Sequence, residues 1–133
     1  MIGMDAFRQI VSELLDELPR EFFRELSGGV IVSEAVEIPP YAQGEDLYTL
    51  GHYWIFSGVR QIIVYKGSFD RVYPFAAEAE AKTILRGVIR HEFRHHLEFL
   101  SGIHDETSLE AQDKKEKRAY LLSHRKDGGG KEI

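Results

Sequence analysis

The chain of 133 residues contains no cysteine. That excludes disulfides, thiolate zinc cages and a cysteine nucleophile, so any metal would have to be held by histidine and carboxylate. Positive charge is also scarce. The 17 Lys and Arg face 22 Asp and Glu, for a formal charge of −5 and a pI near 5.7. Such a chain offers no basic field to hold a phosphate backbone, which argues against a nucleic acid partner. No apolar run approaches the roughly 18 residues of a membrane span. The first stretch, MIGMDAFRQIVSELLDELP, scatters acids among its apolar residues and lacks both a charged leader and a continuous apolar core. It therefore reads as no signal peptide, and a cytoplasmic location is the default expectation. No internal repeat is present. With 43% hydrophobic and 29% charged residues, the composition is that of a soluble globular domain, and the length suits a single modest core with one site.

The pattern along the chain is helix, short sheet, helix. Phe7, Ile10, Val11, Leu14, Leu15 and Leu18 recur at the spacing of one helical face, with Asp5 placed to cap the start. Pro19 ends that helix or opens a short turn, PREFFREL. The β-branched VIVSEAVEIPP stops at a double proline and predicts a strand at a sheet edge or start. After the loop YAQGEDLYTL, the segments YTLGHYWIF and RQIIVYKGSF flank Ser57-Gly58-Val59 and predict a hairpin, the glycine supplying the positive φ of a tight connection. A long helix is expected from about Ala76 to Ser101. Thr107 and Glu110 then have capping-box spacing before AQDKKEKRAYLLSHRK, a mostly polar helix expected to touch the core through Leu109, Tyr120 and Leu121. The terminal DGGGKEI reads as disordered. The expected organisation is a domain over 1–124 and a disordered tail over 125–133, in an α+β fold with a small sheet packed on helices.

The long helix carries the chemistry. Ile84, Val88, His91 and His95 fall within roughly 40° of one another around its axis, so an apolar stripe runs into two histidines. Two buried imidazoles without partners would each cost about 1–3 kcal/mol, and a metal ion is the economical partner. The pattern is H-E-x-x-H, His91-Glu92-Phe93-Arg94-His95: two ligands one turn apart, with a carboxylate beside them to take a proton from water. The alternative is a pair of core-edge histidines bonded to carbonyls or acids. A catalytic zinc also needs a third protein ligand. Glu98 has the right face but lies about 10 Å further along the axis. His104 and Asp105 follow Gly102, which can end the helix in a left-handed cap and turn the chain back; Asp105 is the preferred ligand.

MDAFRQIVSELLDELP, LGHYWIFSG, IIVYKGSF, HEFRHH and GIHDE together resemble the minimal zincin-like family of bacterial proteins, described as possible zinc metallopeptidases. The resemblance covers about residues 4 to 106. It implies a compact α+β zincin core with H-E-x-x-H on a helix below a small sheet, His91 and His95 as zinc ligands, Glu92 as the base, and Asp105 of a G-x-x-D step as third ligand. The family's pattern is H-E-x-x-H-x-x-G-x-x-D. Gly102 lies four residues later here, a lengthening of about one helical turn.

Other notable residues have plainer readings. His52 reads as a surface or strand-packed histidine, Arg94 as an i+4 partner of Glu98, and DKKEKR as a solvated helix face. Arg90, Arg94 and His96 read as lying on the helix flanks, with a supporting role beside the site as the alternative for His96. The expected function is a zinc-dependent peptidase holding one zinc per chain and acting on a peptide or protein, with substrate adding to an exposed strand edge such as RQIIVYKG. The alternative is a non-catalytic metal-binding or protein-interaction module on the same scaffold. An acid between the two histidines distinguishes them, since a purely structural site has no use for it.

Overall fold

The computed structural model describes residues 1–44, 47–102 and 109–132, and in the last stretch it describes side chains over 111–123. Helix α1 (Met4–Asp16) buries Phe7, Ile10, Val11 and Leu14, the predicted face. Asp5 does not cap it. The chain enters at Gly3, with no side-chain cap, and Asp5 stands inside the first turn, where a carboxylate still suits the positive end of the helix dipole. A 3-10 turn (Arg20–Phe23) follows Pro19.

Three strands form one mixed sheet, β1 (Gly29–Ser33), β2 (Gly51–Phe56) and β3 (Val59–Tyr65), in the order β1-β3-β2. β2 and β3 are the expected hairpin, paired antiparallel from Gly51↔Val64 to Phe56↔Val59. Ser57 and Gly58 both take positive φ, 49° and 80°, the conformation a two-residue turn needs to match strand twist. β1 pairs parallel with β3 and lies at an edge. RQIIVYKG is thus no exposed edge: its strand is central, flanked on both sides, and the free edges belong to β1 and β2. The strand also ends sooner than expected, because Lys66–Val72 forms helix α2. Gly67 explains the close packing there. A Cβ at this position would stand 2.4 Å from the Glu34 carbonyl oxygen and 2.5 Å from that of Ala35. Beside it, the buried Ser68 hydroxyl accepts the Glu37 N–H at 2.8 Å and donates to the Glu37 carbonyl at 3.2 Å. α2 thereby pins the chain leaving β1.

Helix α3 (Glu78–Ser101) lies against the sheet and α1 and ends at Gly102, whose φ of 73° makes the predicted left-handed cap. Helix α4 (Leu109–Glu132) follows and takes in most of the segment read as a tail; the proposed cap at Thr107 lies outside the described residues. Phe7, Ile62, Val64, Phe69, Leu85, Ile89 and Phe93 form the core between one sheet face and the helices. Each such burial contributes about 1.5–3 kcal/mol. Ion pairs clamp α1 to α3 at the rim: Glu17 accepts two hydrogen bonds from Arg86, both 2.9 Å, and one from Arg90 at 3.2 Å. The result, among the described residues, is an α+β fold of four helices and a small mixed sheet. Among the described residues, no helix is long and apolar enough to cross a membrane.

Candidate metal centre

The centre of α3's buried face runs through Leu85, Ile89, Glu92, Phe93 and His96. Ile84 is about 100° around the axis from Leu85, so the Ile84, Val88, His91, His95 row sits on the shoulder of that face and is half-buried. This corrects the expectation of two histidines within the buried stripe. The His91 side chain is 40% exposed and that of His95 19%, because the row borders an open cleft of about 690 Å³ between β2, the 37–49 connection and α4. Side chains at a cleft shoulder are open to ions and small molecules, which a core position would prevent.

Asp113, on α4, completes the group. Its Oδ2 lies 2.7 Å from His95 Nε2 and 3.4 Å from His91 Nε2, and one ligand atom from each of the three residues falls within 4.8 Å of the others. A tetrahedral ion with bonds of about 2.0–2.1 Å separates its ligand atoms by about 3.4 Å. The His91 distance matches that spacing. The His95 distance is that of a hydrogen bond, and an ion between the two groups requires only a small side-chain shift. His91, His95 and Asp113 can therefore hold a metal ion. Asp113 belongs to the DKKEKR run read as solvated, and Lys114, Lys115 and Arg118 are indeed exposed. A signal was nevertheless present in the sequence. Asp113 lies seven residues before Tyr120, so the two share a face, and Tyr120 was already placed toward the body of the protein.

Of the other candidates, Glu98 pairs with Arg94 at 3.1 Å, the expected i+4 contact. Asp105 and His104 lie outside the described residues.

Glu92 stands between His91 and His95 in sequence and lines the same cleft, but it is turned inward and buried. Burial pushes its carboxyl above the ordinary range. His91 and His95 pull it down, the Asp113 carboxylate raises it further, and a hydrogen bond donated by the Tyr53 main-chain N–H lowers it. Gly51 makes the close approach of β2 possible: a Cβ there would be 2.8 Å from Val88 Cγ1 and 3.3 Å from Glu92 Cγ.

His96 is not on the helix flank as expected but inside the protein, because Tyr53 and the Arg24 carbonyl both bond its ring. Fully buried, it has Nε2 2.8 Å from the Arg24 carbonyl oxygen and Nδ1 2.7 Å from the Tyr53 hydroxyl. A carbonyl only accepts, so Nε2 carries the proton, Nδ1 is the acceptor, and the hydroxyl donates. Burial holds the imidazole pKa below its ordinary value. His96 therefore fastens Tyr53, the residue whose N–H bonds Glu92, to α3. His52 lies at the exposed cleft rim, edge-on to Trp54 with ring centroids 5.7 Å apart.

No family model and no curated protein matches the sequence. Among solved structures, a conserved hypothetical protein from Thermus thermophilus is 31% identical with a TM-score of 0.62, over 75% of this chain and 98% of the other. At that identity and over nearly the whole of the relative, the chain belongs to the same protein family as this conserved hypothetical protein of Thermus thermophilus.

Proposed function

We propose that the protein is a zinc-dependent hydrolase of peptide bonds, with His91, His95 and Asp113 as zinc ligands and Glu92 as general base. The observation that carries the reading is a buried carboxylate of raised pKa beside a His-His-Asp group in an open cleft. A divalent ion held there supplies Lewis acidity, polarising a carbonyl and bringing the pKa of water toward about 7. Glu92 takes the proton from the attacking water and passes it to the leaving amine nitrogen as the C–N bond breaks. A carboxyl shifted toward neutrality suits both halves of that transfer. His91 and His95 are fixed by a helix whose next residues inward are core, so the donors keep their geometry without substrate.

The free edge of β2 supports a peptide as substrate. Tyr65 donates to the Leu50 carbonyl, so His52, Trp54 and Phe56 turn their polar main-chain groups toward β3. Gly51, Tyr53 and Ile55 turn theirs outward, and of these the Tyr53 N–H already donates to Glu92. An extended peptide pairing with that edge would bring its carbonyl groups along the metal group.

A second reading, a non-catalytic metal-binding or protein-interaction module, is favoured by the outer sheet face, where Ile31, Trp54 and Phe56 are exposed. The variant Glu92→Gln separates the two. It is expected to bind one zinc per chain, as wild type does, and to lose at least about 100-fold in metal-dependent cleavage of a peptide library. Wild-type protein that is fully zinc-loaded and cleaves nothing would leave the module reading.

A further inference from the structure

We propose that α4 is a metal-latched lid: a divalent cation bound jointly by His91, His95 and Asp113 holds this helix against the cleft, and the helix is released when the cation leaves. The inference rests on the metal-site reading above and concerns its regulation; it does not require hydrolysis.

The group is assembled from two pieces of unequal firmness. His91 and His95 belong to α3, anchored by Leu85, Ile89 and Phe93, which are almost wholly buried. Asp113 comes from α4, 18 residues beyond His95. Over residues 111–123 of α4 no side chain is buried, and only Ala111, Asp113, Tyr120 and Leu121 are half-buried. Hydrophobic burial, which scales with apolar area removed from water, therefore holds this described stretch of α4 weakly.

Further ties run to the opposite wall of the cleft. The Tyr120 hydroxyl accepts the Gln43 N–H at 2.9 Å, and its ring meets Tyr41 edge-on at 5.6 Å. Lys117 Nζ stands 4.7 Å from the centre of the Tyr41 ring. α4 thus bridges the two walls, and Asp113, Glu116, Lys117 and Tyr120 line the cleft while it is in place. Exposed polar ties of this kind are weak in water. A divalent cation adds a strong tie between α3 and α4. Three ligands converge on it only when α4 is docked, so cation affinity and helix docking strengthen each other by the same factor.

Hydrogen–deuterium exchange on the full chain tests the latch, in the metal-free protein and after addition of zinc ion, with bound zinc measured in parallel. Zinc is expected to slow the amides of 111–123 at least about 10-fold in wild type, while the Leu85 to Ile89 amides of α3 stay equally protected. Asp113→Ala should abolish the effect with those α3 amides unchanged, which also shows that the variant is folded. Tyr120→Phe, which keeps all three ligands, should retain it. Equal protection of 111–123 with and without bound zinc overturns the latch, and so does a zinc effect that survives in Asp113→Ala or disappears in Tyr120→Phe. Failure of wild type to bind zinc overturns latch and metal site together. Zinc-dependent peptide cleavage without a change in 111–123 overturns the latch alone.

Discussion

His96 has both ring nitrogens engaged inside the protein, and this decides what Tyr53 does. Because Nε2 donates to the Arg24 carbonyl, the Tyr53 hydroxyl has to donate to Nδ1. Tyr53→Phe leaves that nitrogen buried without a donor and is expected to destabilise the fold by about 1–3 kcal/mol, read as a lower urea midpoint with unchanged slope. A loss below about 0.5 kcal/mol would mean that the bond carries no weight. Gly51 makes the complementary case. Its missing Cβ is the space into which Val88 and Glu92 fit, so Gly51→Ala is expected to cost about 1–3 kcal/mol by overpacking. A variant as stable as wild type in the same urea titration would refute that. The H-E-x-x-H residues themselves were legible in the sequence because i and i+4 meet on any helix. The burial of Glu92 was not, since it depends on how closely β2 approaches.

At the scale of elements, helix α1 is held to α3 by apolar packing within and by Glu17 at the rim. Hydrogen bonds from Arg86 lower the Glu17 pKa from 4.5 to about 2, with smaller electrostatic contributions from Arg86, Arg90 and Lys82. A carboxylate depressed in the fold stabilises it at pH values above its unfolded pKa, and that contribution fades as pH falls through the folded value. The stability difference between wild type and Glu17→Gln should therefore be full above pH 4.5 and vanish near pH 2, as measured by urea unfolding across that range. A difference that grows on acidification would contradict the assignment. Both helices of this pair were readable from apolar periodicity. The hairpin was readable from Ser57 and Gly58, whereas α2 was not, because Lys66–Val72 is placed by the fit of Gly67 against the Glu34 and Ala35 carbonyls.

For the molecule as a whole, the proposed metal couples to folding, since the unfolded chain cannot bring His91, His95 and Asp113 together. Free zinc at 100 times its dissociation constant is expected to raise the unfolding free energy by about 2.7 kcal/mol. The His91→Ala, His95→Ala double variant should show no such gain in a denaturant titration, and an equal gain in both proteins would remove the site. Covalent and helical geometry act over four residues or fewer. The sequence by itself therefore determined the helices α1 and α3, the turn between β2 and β3, the stop at Gly102, and the placing of His91 and His95 one turn apart around Glu92. Partners far apart in the chain were decided only by tertiary structure. Asp113 reaches His95 across 18 residues and Tyr53 reaches His96 across 43, and both contacts depend on where α4 and β2 pack. The spacing of Asp113 and Tyr120 gave only a shared helix face, because the same charged run is stable as a solvated face until a second element presents two imidazoles to it.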